Sequence, residues 1–119
     1  MKVLICGARD WTDFERILLR LKELARSTNE PIFIIQGGAK GADTISRQCA
    51  EILKMNVIEF SADWEKYGKK AGPLRNIQML NEKPDLVLAF HRNLLESKGT
   101  AHTVREAKKR KIPVEVIER

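Results

Sequence analysis

QGGAKGAD (36–43) stands between the apolar run 32–35 and a helix-patterned stretch, 42–54, whose inward positions are Ile45, Cys49 and Ile52. A glycine-bearing turn that closes a strand and opens a helix is the joint of an α/β unit. Two further turns repeat the arrangement. GARDW (7–11) follows the apolar run 3–6, and SKGTAH (97–102) lies between the run 86–90 and a helical pattern over 99–110. In an α/β sheet such turns occupy the carboxyl ends of strands, where backbone N–H groups and helix N-termini favour an anion.

Working outward, the remaining pattern is regular. Short strands are expected at 3–6, 32–35, 57–60, 86–90 and 114–117, the first of them apolar on both faces as a buried parallel strand is. Thr12 or Asp13 can cap a first helix with the stripe Phe14, Ile17, Leu18, Leu21 and Leu24, which Ser27 to Pro31 terminates. Residues 61–72 read as a long polar loop, and Pro73 as the first residue of a helix running to about Asn81. The alternation predicts one Rossmann-like α/β domain over 1–119: a five-stranded parallel sheet, helices on both faces, right-handed crossovers. The order 3-2-1-4-5 would set the three glycine turns side by side at the topological switch point, whereas 2-1-3-4-5 would move the fourth-strand turn away.

Composition frames the function. The chain has 119 residues, 43% hydrophobic and 32% charged, which suits one soluble domain with a real core. No apolar run approaches the length of a membrane span, and the N-terminal run is too short for a signal peptide, so a cytoplasmic protein is expected. Cys6 and Cys49 share no metal or redox spacing and read as small buried apolar residues. Two histidines, His91 and His102, without flanking ligands predict no metal, and no cofactor is expected. The net charge of +6 favours anionic partners. Lys66, Lys69, Lys70 and Arg75 crowd one loop near the expected site. Arg105, Lys108, Lys109, Arg110 and Lys111 crowd the last helix, where cations at a C-terminus form a solvated face.

Each turn offers its own chemistry. Gly7 lets the chain leave the first strand sharply, and Arg9 can present a planar fork to a phosphate or pair with Asp10 or Asp13. Trp11 can stack on a base or pack under the first helix. Gly37, Gly38 and Gly41 permit close backbone approach to a phosphate, Lys40 adds a point charge, and Asp43 can cap the helix or touch a ribose hydroxyl. The motif is not a Walker P-loop, because no Gly-Lys-Ser/Thr follows the four-residue spacer. Arg75 and Asn76 project from the start of the third expected helix, 73–81. Ser97, Gly99 and Thr100 can donate to a phosphate at the last helix's N-terminus.

GARDW, GGAKGAD, ADWEKYGKKAGPLRNIQML (62–80) and SKGTAHTVREA (97–107) together resemble the SLOG superfamily, specifically its small YspA/YpsA-like branch. The resemblance covers nearly the whole chain, in order and spacing. It implies a Rossmannoid fold and a pocket for nucleotides or nucleotide-derived ligands. Relatives include the Lonely Guy phosphoribohydrolases and the DNA-processing protein DprA. The hydrolases carry an Arg-Lys-x-x-Met motif that resembles Arg75-Asn76-Ile77-Gln78-Met79, which gives Arg75 the role of a phosphate or ribose contact or a catalytic arginine. Their Pro-Gly-Gly-x-Gly-Thr-x-x-Glu aligns with residues 95–103, where only Gly99 and Thr100 survive and Thr103 replaces the catalytic glutamate. A threonine cannot act as a carboxylate base, so the phosphate site carries over and the glycosidase chemistry does not. Arg75 and His102 remain the catalytic candidates, with Glu96 and His91 close in sequence.

Binding or sensing of a nucleotide-derived ligand is the first expectation, and a nucleotide-processing hydrolase the alternative. A DprA-like nucleic-acid-binding protein ranks below both, because the basic stretches lack interleaved aromatics. A homodimer using Trp64, Tyr67 or the helix at 73–81 is a further expectation.

Overall fold

The computed structural model describes all 119 residues. Five strands, β1 (Lys2–Gly7), β2 (Phe33–Gln36), β3 (Asn56–Glu59), β4 (Leu86–Phe90) and β5 (Val114–Ile117), form one parallel sheet in the order β3-β2-β1-β4-β5. The chain winds from β1 outward through β2 to β3, then crosses back to lay β4 on the other side of β1. That reversal opens a crevice at the carboxyl ends of β1 and β4, where Gly7 pairs with Phe90.

The strand alternation sorts side chains into two cores. Val3 and Ile5 face one side, where helices α1 (Phe14–Ser27) and α2 (Ala42–Ile52) supply Ile17, Leu21, Leu24 and Cys49. Leu4 and Cys6 face the other, against Met79 and Leu80 of α4 (Ala71–Leu80) and Val104 and Ala107 of α5 (Gly99–Lys109). Burying each large aliphatic side chain contributes roughly 1.5–3 kcal/mol, so neither helical layer is dispensable. Leu21→Ala, at a fully buried position, would cost about 2–5 kcal/mol. Asp13, one of the two expected caps, closes α1 by accepting from the Arg16 N–H at 3.0 Å.

Two expectations are corrected. Only 61–63 of the expected loop 61–72 lack regular structure: α3 (Trp64–Tyr67) and a 3₁₀ turn (Gly68–Lys70) run directly into α4. Asp63 starts α3 by accepting from the Lys66 N–H at 3.1 Å, and Gly68, at φ 55°, bends the chain into the next turn. Accordingly α4 begins at Ala71, and Pro73 is its third residue, still within the turn where a missing N–H costs nothing. The choice left open for Trp11 also closes. It is 3% exposed, packs edge-on against Phe90 at 5.6 Å, and its Nε1–H donates to the Asp13 carbonyl at 3.0 Å.

Candidate functional site

The crevice between β1 and β4 holds a cleft of about 320 Å³. Its walls come from all four of the sequence segments singled out above. The β1 turn supplies Gly7 and Arg9, α4 supplies Arg75 and Asn76, and the approach to α5 supplies Ser97, Gly99 and Thr100; Asp43 reaches in from α2. Gly7 is required because a Cβ there would lie 2.7 Å from the Ala42 methyl and against the Phe90 carbonyl. This closeness lets Ala8 N–H bond Phe90 O at 2.9 Å while Ala8 O accepts from Ala42 N–H at 3.1 Å, tying three elements at the cleft floor.

Arg75 is the centre of a polar network. Its Nη1 donates to the Gly37 carbonyl at 2.7 Å and its Nε to Asn76 Oδ1 at 3.1 Å. The Asn76 amide in turn donates to Gly99 O at 3.4 Å and meets His102 Nδ1 at 3.3 Å. An amide donor opposite Nδ1 assigns the proton of a neutral His102 ring to Nε2. Burial lowers the Arg75 and His102 pKa values; Asp43 opposes the shift at Arg75, and Glu106 at His102.

Asp43 does more than sit in the first helical turn. Its Oδ2 accepts from Gly37 N–H at 3.2 Å and Ala39 N–H at 3.1 Å, so the carboxylate clamps the preceding turn instead of capping the helix. Gln36 Oε1 accepts from Gly38 N–H, and Thr44 Oγ1 donates to Ala39 O at 2.8 Å. Three amides of QGGAKGAD are therefore engaged by the chain's own side chains, and the turn is held shut by them. Asp43 itself is 7% exposed, and burial raises its pKa to about 6 despite the two amide donors and Arg75. Its Oδ1 makes no hydrogen bond within the chain, yet no buried side-chain oxygen is left unpartnered, so that atom opens onto the cleft.

At the opposite wall Ser97 Oγ accepts from Thr100 N–H at 3.0 Å, and His102 N–H bonds Lys98 O. The Gly99 and Ala101 amides have no partner within the chain, which leaves two donors at the positive end of an eleven-residue helix. A Cβ on Gly99 would meet nothing within 4 Å. Thr103 is buried, and its hydroxyl donates to Gly99 O at 3.3 Å.

A second cleft, of about 400 Å³, adjoins the first and gathers Gly37, Gly38, Lys40 and Trp64, with Arg9 and Arg75 common to both. Two of the sequence candidates line neither. Gly41 is structural: at φ 77° it passes against the Ala8 and Arg9 carbonyls. His102 lies behind Asn76, whereas His91 lines the first cleft. Reasoning from sequence passed over Cys6, Met79 and Lys98 as cleft residues. Position at the end of β1 and in the first turn before α5 would have flagged Cys6 and Lys98; only tertiary packing reveals Met79. The Cys6 thiol is held far above its usual range by burial and the nearby Asp43 charge. No group of three His, Cys, Asp or Glu side chains is assembled to hold a metal ion, and no helix is long and apolar enough to cross a membrane.

No solved structure matches the chain. It is 39% identical over 118 residues to the Gene 61 protein of Mycobacterium phage D29, an alignment covering 95% of this chain and 93% of the phage protein. The model of one family, described as YspA, cpYpsA-related SLOG family, matches residues 1–67, which carry β1 to β3 and both GARDW and QGGAKGAD. The chain therefore belongs to the YspA, cpYpsA-related SLOG family.

Proposed function

We propose that this protein binds or senses a nucleotide or nucleotide-derived phosphorylated ligand in the cleft between β1 and β4. The observation that carries this reading is the convergence of Arg9, Arg75 and the free Gly99 amide on one crevice, with the Ala101 amide free in the same helical turn. Two guanidiniums and a helix N-terminus make a site for a doubly charged anion, and each charge-assisted bond contributes about 1.5–3 kcal/mol. Family membership supports a nucleotide-related ligand, bound or processed. In this arrangement Ser97 and Thr100 shape the phosphate end. Asn76 orients Arg75, and Asp43 Oδ1 accepts a hydroxyl of the attached sugar.

A hydrolytic reading rests on one observation, the Asp43 oxygen open to the same cleft as Thr103. It supplies a carboxylate, from α2, that position 103 lacks. One experiment separates the two. The protein is incubated with a panel of mononucleotides while binding heat and released base or phosphate are recorded. Saturable heat without product supports binding alone. Product that disappears in both Arg75→Ala and Asp43→Asn supports hydrolysis, and silence from every phosphorylated compound removes both.

A further inference from the structure

The second cleft does not stand apart from the first. Arg9, Ala39 and Arg75 line both, so the two form one groove with a pair of guanidiniums at its waist. Along its whole length the groove presents the cations Arg9, Lys40, Arg75 and Lys98 against the single carboxylate of Asp43. That surplus matches the roughly three negative charges of a nucleoside diphosphate better than the two or fewer of a monophosphate.

Trp64 forms the far wall. It is 50% exposed, whereas the chain's other tryptophan, Trp11, is almost wholly buried. A half-open indole is unusual for a side chain of that apolar area. Its position is fixed nonetheless. Asp63 caps the helix that carries it, and Gly72 leaves room for the ring, since a Cβ there would lie 3.2 Å from Trp64 Cη2. A flat wall beside a cationic waist suits a base joined to phosphates.

Resting on the reading of the first cleft as an anion site, we propose that both clefts take one ligand, a nucleoside diphosphate. Its base stacks on Trp64, and its phosphates run past Arg9 and Arg75 to the first turn of α5.

Titrations of the full chain with AMP, ADP and inorganic pyrophosphate, followed by calorimetry and tryptophan fluorescence, test this. ADP is expected to bind at least tenfold tighter than AMP and to quench Trp64 emission, with pyrophosphate binding without quenching. Trp64→Ala should weaken ADP about tenfold or more and leave pyrophosphate unchanged, while Trp64→Phe keeps part of the stacking. Unchanged pyrophosphate affinity also reports that the variant is folded. Equal affinity for AMP and ADP, or full ADP affinity in Trp64→Ala, would overturn the proposal and leave the anion site standing. Failure of all three compounds to bind would remove the anion site and this inference with it.

Discussion

Asp43 and Arg75 grip Gly37 from opposite sides. The carboxylate accepts the Gly37 N–H at 3.2 Å, and the guanidinium donates to the Gly37 carbonyl at 2.7 Å. The turn after β2 is thereby fixed relative to α4, and Arg75 is held in place at the cleft wall. Preorganisation of this kind lowers the cost of binding.

Gly37 and Gly41 should separate function from stability. A Cβ on Gly37 would come within 2.7 Å of Arg75 Cζ, but the guanidinium is the far end of a flexible side chain and can swing aside. Gly37→Ala is expected to fold and to lose tenfold or more in phosphate-ligand affinity. Gly41→Ala places a side chain at φ 77° against two backbone carbonyls that cannot yield. It should lower stability by about 1–3 kcal/mol or more. Thermal melts beside calorimetric titrations check both; a melting temperature that falls more for Gly37→Ala than for Gly41→Ala would reverse the assignment.

Asp43 makes stability depend on pH in a definite direction. Its carboxyl titrates near pH 6 in the folded chain against an ordinary value of 3.8. Between those values the folded state holds a proton that the unfolded chain has released. This contribution is therefore fully present below about pH 4, falls as pH rises through 6, and is constant above. Ionising the buried group costs on the order of 3 kcal/mol. Asp43→Asn should be more stable than the parent above pH 6, with the gap closing toward pH 4. Urea unfolding of both proteins at several pH values reads this, and a gap that stays constant with pH would contradict it.

His102 is expected to remain neutral below the ordinary imidazole range, protonated on Nε2, because burial disfavours the cation and Nδ1 accepts from Asn76. The sign is opposite to that of Asp43. Its contribution is present above the unfolded imidazole value and is lost as pH falls through the lowered one. Nitrogen-15 shifts of the ring report both tautomer and titration; an Nδ1–H form would break the proposed chain from His102 through Asn76 to Arg75.

Cys6 lines the cleft yet should resist alkylation in the native state, since its thiolate is strongly disfavoured by burial and by Asp43. Rapid modification at pH 8, without unfolding, would show that the cleft floor is more open than described.

The strand order was readable because β1 and β4 are apolar on both faces and because the three glycine turns converge only if those strands are neighbours. The segment 61–72 was harder. Its four-residue helix is too short to show periodicity, and Lys66, Lys69 and Lys70 mask it as a solvated loop, although Asp63 three residues before Lys66 is a capping signal. At the site, residue types betrayed Arg9, Arg75 and Gly99. What stayed hidden was the use of backbone groups. Nothing in QGGAKGAD says that Gln36 and Asp43 turn back to claim the amides of Gly37, Gly38 and Ala39. A donor's partner is a property of the folded turn, and the same letters describe an open cradle or a closed one.

The position of the phosphate in a crystal of the protein grown with AMP tests the central claim most directly. Phosphorus is expected within hydrogen-bonding reach of the Arg75 guanidinium and the Gly99 N–H, between the carboxyl ends of β1 and β4. Phosphate density on the basic face from Arg105 to Lys111, with the cleft empty and Arg75 still bound only to Gly37 and Asn76, would contradict it.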